Sequence, residues 1–255
     1  MLRIASAAAS HPGLRRDQNE DAYCIRADLG LYLVADGMGG HAAGEVASRL
    51  AVDTIESFIE RTRQATDLDE WPAYDPAYGI EGNRLRMAFT LANRRLSEAA
   101  TGDAALRGMA TTASAALVGD RSIVIAHVGD SRIYRWRNGA LEQLTLDHSW
   151  VGDRVRAGIL TESDARQHPW RNVVTRALAG GDDPQVDIAT LDVQNGDRLL
   201  LCSDGLSGVV PQARVEELLS QESSLESTCQ ALVDAANAAG GPDNITVAIL
   251  RADVA

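Results

Sequence analysis

Apolar runs and Gly or Asp turn signals alternate along this chain. Short continuous runs of β-favouring residues that end in a turn signal indicate buried strands. An N-terminal stretch of small and apolar residues continues the same strand pattern into the segment RRDQNED. The clearest runs are LYLVADG (31–37), TTASAALVGD (111–120), SIVIAHVGD (122–130), RIYRWRNG (132–139), DRLLLCSDG (197–205) and NITVAIL (244–250).

Two long segments show helical periodicity instead. Within residues 44–63 and 83–100, apolar residues recur every three or four positions opposite a charged face, which is typical of helices packed on a core. Two further helices are predicted near the C-terminus, one after Pro211 and one opening at Ser224. Groups of adjacent strands separated by paired helices favour sheets covered by helices over a βαβ alternation.

Two other segments break both periodicities. Residues 62–82 are rich in Pro, Gly and Asp and predict a long surface connection between the first two helices. Residues 146–187 contain only short helical pieces, WVGDRVRAGI and TESDARQ, and an insertion of this length beside a motif is often a functional flap. We expect one domain over residues 1–255 that carries this flap, since single domains with sheets reach this size.

Composition narrows the partners and the compartment. The net charge is −12 and basic residues form no long run, so the pattern expected for binding nucleic acid or anionic lipid is missing. The three cysteines lie far apart without a CxxC pair, which fits a reducing compartment. A signal peptide is disfavoured because the N-terminal apolar run is short and interrupted by Ser. No window approaches the roughly 20 apolar residues of a membrane span, and we expect a cytoplasmic protein.

Acidic residues stand where predicted strands begin and end. Each Asp-Gly pair fits either a plain turn, which both residues suit chemically, or a metal ligand. Acids that converge on one sheet edge repel unless cations lie between them. Hard oxygen donors favour Mg²⁺ or Mn²⁺, and the chain offers no Cys/His cluster for zinc. The candidates are Asp36, Asp130, Asp204 and Asp243, together with the acid pair Glu20 and Asp21.

The ordered set of motifs resembles one known family. RRDQNEDAY, VADGMGGHAAGEVAS, GMATTASAAL, VGDSRIY, LTLDHS, CSDGL and PDNITV follow the order and approximate spacing of the PPM family, the metal-dependent type 2C protein serine/threonine phosphatases. They extend from residue 15 to residue 247, and their style resembles the bacterial branch. The resemblance implies an α+β fold, a four-layer αββα sandwich of two antiparallel sheets flanked by helices, with metals at one end.

The resemblance also implies roles for the acids. Asp36 would bridge two Mn²⁺ or Mg²⁺ ions, and the Gly37 carbonyl would bind one of them. Glu20 would bind that same ion, directly or through water. The other implied positions are Asp204 and Asp243 for the second ion, Asp130 for a weaker third ion shared with Asp204, Asp21 for holding metal-bound water, and Asn244 beside the ligands.

The implied reaction is hydrolysis of phosphoserine or phosphothreonine by a hydroxide that bridges two metals, without a phosphoenzyme. Arg16 stands where the family has its phosphate-binding arginine, and a guanidinium can bind two phosphate oxygens at once. Some relatives carry a histidine after Asp-Gly as general acid, but Met38 has that position here. His41, His148 and metal-bound water stay open as proton donors, against a structural role for the first and a helix-start role for the second.

The predicted partners are phosphorylated proteins and a cognate Ser/Thr kinase that a monomeric catalytic domain would oppose. One rival hypothesis is an inactive phosphoprotein-binding module, a pseudophosphatase, which is disfavoured because every matched acid is present. The other is a Ca²⁺-stabilised interaction domain, which is disfavoured because no EF-hand-like loop occurs.

Three residues near the motifs have further interpretations. Cys202 fits either an oxidation-sensitive thiol or a buried strand cysteine. Thr111 and Thr112 are predicted to pack in a sheet near the site, without a part in the reaction.

Overall fold

Antiparallel strands form two sheets in the computed structural model, which describes residues 2–40, 43–64, 74–120, 122–181, 183–221 and 223–254. The strands are β1 (Leu2–His11), β2 (Asp21–Arg26), β3 (Leu31–Met38), β4 (Ala110–Thr111), β5 (Ala113–Val118), β6 (Ile123–Val128), β7 (Arg132–Arg137), β8 (Ala140–Gln143), β9 (Asp187–Leu191), β10 (Arg198–Cys202) and β11 (Ile245–Val254). Sheet I has the order β1-β11-β10-β7-β8. Sheet II has the order β2-β3-β5-β6-β9, and β4 pairs with β3 beside that path.

Six of the seven α-helices in the described residues lie in segments predicted to be helical, and the four-residue helix after β10 was not predicted. The seven helices are α1 (Ala43–Thr62), α2 (Gly79–Gly102), α3 (Trp150–Arg156), α4 (Glu162–Gln167), α5 (Asp204–Ser207), α6 (Gln212–Ser220) and α7 (Leu225–Ala238). The second long helix begins at Gly79, earlier than the predicted Asn83. The two C-terminal helices begin as predicted, and the Ser224 side chain caps α7 by accepting the Ser227 N–H. Among the described residues, no helix is both long and apolar enough to cross a membrane.

Three apolar clusters separate four layers. Leu33 packs with Phe89 between sheet II and the pair α1 and α2, and Leu200 packs with Leu232 between sheet I and the pair α6 and α7. Since successive strand residues point to opposite faces, the neighbours of Leu33 point to the other side. The inter-sheet cluster they join contains Tyr32, Val34, Ile125, Leu201 and Leu250. This αββα sandwich confirms the predicted α+β fold.

Three strands were absent from the sequence prediction. They are β2, β8 and β9, and each lies at the edge of its sheet. Positions in an edge strand alternate between buried and exposed, or most of them face solvent, as in Asp187–Leu191. Such strands therefore lack the continuous apolar run that identifies a buried strand in a sequence. The three differences therefore share one physical reason.

The two segments predicted to break both periodicities, 146–187 and 62–82, contain short helical pieces where the structure describes them. The two predicted short helices of residues 146–187 form as α3 and α4, capped by the side chains of Ser149 and Thr161. A bridge between Ser149 and Val174 joins the start of the flap to its second half. In the predicted connection 62–82, residues 65–73 lie outside the described residues, and Pro76–Tyr78 forms one 3₁₀ turn before α2.

Candidate active site

The ends of strands from both sheets bring five aspartates together. Asp36 near the end of β3 is the direct cross-strand partner of Asp21 at the start of β2, so their side chains share one face of sheet II. Asp130 lies in the turn between β6 and β7. Asp204 follows β10, and Asp243 precedes the neighbouring β11. Asp21 is buried and the other four are partly exposed, so the cluster forms the floor of a site open to solvent.

The charges of these aspartates interact. Burial, opposed by hydrogen bonds, raises the pKa of Asp21 to about 7. Burial and the nearby carboxylate of Asp204 raise the pKa of Asp130 to about 7, and burial with Asp243 raises that of Asp204 to about 6. The pKa of Asp36 is raised well above its ordinary value by burial and then by the other four carboxylates. A cluster that disfavours its own negative charge in this way is one that cations would stabilise.

Two threonines of the adjoining strands fix the backbone of Asp36. Its N–H donates to Thr112 Oγ1 at 3.0 Å, and its carbonyl accepts the Thr112 N–H and the Thr111 hydroxyl, each at 2.9 Å. Thr112 Oγ1 also lies 2.7 Å from Ser131 Oγ, beside the turn that holds Asp130. The threonines pack near the site as predicted, and they additionally position its central carboxylate.

Close backbone approach explains the glycines that follow Asp36. The Gly37 N–H donates to the Glu20 carbonyl at 3.1 Å. A Cβ built on Gly37 would lie 2.0 Å from the Gly44 carbonyl oxygen, and one on Gly44 would lie 2.6 Å from Glu20 Oε2. Residues without side chains therefore let the end of β3, the start of α1 and the Glu20 segment meet around the acids.

Asn244 holds the N-terminal loop against this cluster. Its Oδ1 accepts the Glu20 N–H at 2.8 Å, and its Nδ2 donates to the carbonyls of Pro12 at 2.9 Å and Gln18 at 2.8 Å. The amide is buried and connects the segment that carries Arg16 and Glu20 to the start of β11. Burial raises the pKa of Glu20, as it does for Asp21 and Asp36.

Arg16 reaches the rim of the cluster from that loop. Its Nη2 donates to Asp243 Oδ2 at 2.8 Å, while 52% of its side chain stays exposed. Attraction by Asp243 raises the pKa of the arginine. The guanidinium is thus placed between the acids and solvent.

Ser203 was not predicted and orients Asp21. The Ser203 hydroxyl donates to Asp21 Oδ2 at 2.7 Å and accepts the Thr246 N–H at 3.0 Å. Asp21 Oδ1, by contrast, is buried without a hydrogen-bond partner in the described part of the chain. The available sequence signal was the place of Ser203 directly before an acidic candidate in CSDG. A buried carboxylate oxygen left without a partner fits a site that takes up a cation or an ordered water.

The oxygen atoms of the site are of the kind that bind divalent cations, although the side chains are not arranged around one in this conformation. In the described residues, no group of three or more His, Cys, Asp and Glu side chains is arranged to hold a metal ion. The donors are carboxylate and carbonyl oxygens, which hard cations prefer. The mutual repulsion of the carboxylates and the unpartnered Asp21 oxygen also favour a bound cation.

The histidine candidates are separated by the structure. His148 Nδ1 accepts the Gly129 N–H at 3.1 Å, and Nε2 lies 3.0 Å from Asp187 Oδ2. Burial lowers the pKa of His148 even though Asp187 opposes that shift. With both ring nitrogens engaged, directly before the residue that caps α3, His148 fits the helix-start role. His41 lies outside the described residues.

Cys202 is fully buried in β10. Burial raises the pKa of its thiol to about 12. Since thiolates are the reactive form, the interpretation as a buried strand cysteine is confirmed.

Known proteins are similar to this chain in fold and in sequence. The family model described as Protein phosphatase 2C matches residues 14–248. Serine/threonine phosphatase stp of Listeria monocytogenes is 36% identical over 248 residues, which cover 95% of this chain and 93% of that protein. The crystal structure of the Mycobacterium tuberculosis phosphatase PstP/Ppp has a TM-score of 0.85 at 35% identity and covers 98% of this chain and 99% of its own. A structure of the PstP catalytic domain in complex with two manganese ions has a TM-score of 0.84 at 33% identity and covers 100% of both chains.

The fold of two packed sheets is thus shared with protein serine/threonine phosphatases. The chain belongs to the protein phosphatase 2C family, the PPM phosphatases, as its motifs predict. Its substrates are therefore phosphorylated proteins.

The raised pKa values predict that the metal-free protein loses stability as the pH rises. A carboxyl whose pKa in the folded protein is raised above its unfolded value of about 4 stabilises the fold fully at a pH below about 4. This contribution is lost as the pH rises through the folded pKa. Asp21 and Asp130 have folded pKa values of about 7, and Asp204 of about 6. We expect the Tm of EDTA-treated protein to fall between about pH 5 and about pH 8, as measured by scanning calorimetry.

A matched scan with Mn²⁺ isolates the contribution of the acids. Burial lowers the pKa of His127 to about 4 and also lowers that of His148, so this histidine pair destabilises the fold as the pH falls below about 6.5. Mn²⁺ does not act on it, and the increase in Tm caused by Mn²⁺ should grow with pH. An increase in Tm on adding Mn²⁺ that is equal at about pH 5 and at about pH 8 would contradict the prediction.

Proposed function

We propose that this chain hydrolyses phosphoserine and phosphothreonine in proteins with two Mn²⁺ or Mg²⁺ ions held by the aspartate cluster. The observation that carries the proposal is the convergence of aspartates from both sheets on one site open to solvent, where burial and mutual repulsion raise the pKa of Asp36 and Asp204. A relative of the same fold contains two manganese ions, which supports the choice of metal.

The residues that would hold the ions follow from the strand ends. When bound, two divalent cations would lower the pKa of a water and so supply the hydroxide nucleophile. Asp21, oriented by Ser203 at 2.7 Å, has a free oxygen with which to hold that water as an acceptor. The proposed ligands are Asp36, Gly37 through its carbonyl, and Glu20 for one ion, Asp204 and Asp243 for the other, and Asp130 with Asp204 for a weaker third.

Arg16 is proposed to bind the phosphate group. In the present conformation it provides a positive charge beside Asp243. That contact uses Nη2 on one oxygen of Asp243, and the half-exposed guanidinium would be able to turn its outer nitrogens toward two phosphate oxygens. A planar guanidinium suits this bidentate contact and would offset charge as the phosphate is attacked.

Replacing Arg16 tests that role. We expect Arg16→Ala to lower kcat/KM for a phosphothreonine peptide about 10- to 100-fold, the size expected for loss of hydrogen bonds to a charged group. Arg16→Lys should retain part of the activity, because a lysine keeps the charge without the planar fork. The neighbouring exposed Arg15 provides the control, and Arg15→Ala should behave as wild type in steady-state assays. Equal effects of the two alanine variants would argue against a phosphate contact specific to Arg16.

The reaction itself is tested by phosphate release from phosphothreonine, phosphoserine and phosphotyrosine peptides with Mn²⁺ and with EDTA. We expect release from the first two peptides with Mn²⁺ and none above background with EDTA. Binding of the phosphopeptides without release, by folded protein loaded with Mn²⁺, would favour the pseudophosphatase alternative.

We further propose that the enzyme acts as a monomer in the cytoplasm and opposes a Ser/Thr protein kinase. The free, buried cysteines Cys24, Cys202 and Cys229 support a reducing compartment. Phosphoproteomes of cells with and without this gene test the kinase partnership, since unchanged phosphothreonine sites would count against it.

A further inference from the structure

Aromatic and basic side chains gather on the flap. The Trp150 and His168 rings stack with centroids 4.7 Å apart, and Trp170 meets Trp150 edge-on at 4.8 Å. The Arg154 guanidinium lies 4.8 Å from the Trp150 ring centroid. The Trp150 N–H donates to the Val173 carbonyl at 2.8 Å, which closes the base of this group. We define the flap surface as Trp150, Arg154, His168, Trp170, Arg171 and Val173.

Much of the flap surface is apolar and exposed. Trp170 is 54% exposed and Val173 is 44% exposed. Trp is one of the side chains enriched among the residues that contribute most to binding, because its rings bury a large area with little loss of entropy. Two exposed apolar side chains beside a stacked aromatic group therefore indicate a surface that is covered when a partner binds.

The charge of the flap surface is opposite to that of the whole chain. Residues 165–181 contain three Arg and one His but neither Asp nor Glu, in a chain of net charge −12. In the part of the chain that the structure describes, Arg154 and Arg171 form no ion pair with a carboxylate, whereas two other flap arginines do. The surface thus offers unneutralised positive charge next to apolar area, and its complement is an acidic segment that also carries an apolar side chain.

Both ends of the flap are fixed beside the aspartate cluster. At the entry, the His148 N–H donates to the carbonyl of Gly129, directly before Asp130, at 2.8 Å. At the exit, Leu178 and Thr111 exchange two backbone hydrogen bonds of 2.9 Å, and Thr111 also binds the backbone of the central aspartate. The flap surface begins two residues after this entry point, so a chain whose phosphorylated residue lies at the acids can extend over it.

We propose that the flap surface docks the segment of a phosphoprotein that flanks the phosphorylated residue and selects acidic residues accompanied by an apolar side chain. Arg154 and Arg171 pair with the carboxylates of that segment, and Trp170 with Val173 covers its apolar side chain. This inference rests on the proposed phosphatase function, which supplies the phosphorylated residue at the acids.

The test compares three substrates with Mn²⁺ present. The first is a phosphothreonine peptide flanked by Asp, Glu and Leu, the second has Gly and Ser at those positions, and the third is p-nitrophenyl phosphate, which has no flanking residues. For the double variant Trp170→Ala/Arg171→Gln, we expect KM for the acidic peptide to rise about tenfold, a typical loss for an aromatic and a charged anchor. KM for the neutral peptide and hydrolysis of p-nitrophenyl phosphate should stay within about twofold of wild type.

Matched variants and a second measurement keep this test decisive. Trp170→Phe retains a ring and should lose less affinity than Trp170→Ala. Arg3→Gln removes the same charge at the exposed start of β1, whose other end lies at the acids, and should change nothing. Equal KM values of wild type for the two peptides, or equal changes of both in the double variant, would overturn the proposal. So would a wild-type dimer in sedimentation that the double variant abolishes, since a second copy would then be the occupant. Failure of wild type on all three substrates would instead refute the proposed function.

Discussion

Asp36→Asn is expected to lower kcat/KM for a phosphothreonine peptide by about 10³-fold or more, equivalent to about 4 kcal/mol of transition-state stabilisation. The amide keeps the shape of the carboxylate but cannot bridge two cations. Its backbone contacts to Thr111 and Thr112 do not involve the replaced atoms, so the strand end should be retained. The measurement is steady-state phosphate release with saturating Mn²⁺.

The same variant should not destabilise the metal-free fold. The pKa of Asp36 is raised by burial and by four neighbouring carboxylates, so removal of its charge relieves repulsion. We expect its Tm in EDTA at about pH 8 to equal or exceed that of wild type. Asp53→Asn, at an exposed position of α1, is the control and should keep full activity. An Asp36→Asn enzyme with near wild-type turnover would remove the acid cluster from the mechanism.

Gly37→Ala is expected to destabilise the protein by about 3 kcal/mol or more, the upper range for overpacking. The new Cβ would lie 2.0 Å from the Gly44 carbonyl oxygen and 2.6 Å from the Glu20 carbonyl oxygen. Both obstacles are backbone atoms, so no side-chain rotation can relieve the contact. Urea unfolding of the metal-free protein measures the loss.

Gly40 provides the matched control in the same segment. A Cβ built there meets no atom within 4 Å, so Gly40→Ala should change the free energy of unfolding by less than about 1 kcal/mol. If the two alanine variants had equal stability, close backbone approach would not be the reason for glycine at position 37.

The sequence predicted those parts of the fold in which one periodicity persists. The long helices and the apolar strands of the interior were anticipated because buried elements repeat one pattern over many residues. The edge strands β2, β8 and β9 escaped because their mixed burial resembles a loop. The start of α2 at Gly79 escaped because Gly and the 3₁₀ turn before it are typical of a connection.

The acids of the site were foreseen, whereas their supports were not. The position of Asp36 or Asp204 at a strand end is visible along the chain, and the family resemblance supplied roles for these acids. The hydroxyl of Ser203, which reaches Asp21 across 182 residues of sequence, depends on the pairing of sheets. The contact between Thr112 and Ser131 also depends on the arrangement of the strands, because the spacing of residues in a sequence does not indicate which strand ends lie next to each other.

The most direct test of the two-metal centre is anomalous scattering from crystals of this protein soaked in Mn²⁺. The account predicts two strong peaks about 3.5–4 Å apart, with the Asp36 carboxylate between them and Asp204 and Asp243 beside one of them. No peak among these aspartates at saturating Mn²⁺, or peaks only at surface sites elsewhere, would contradict it.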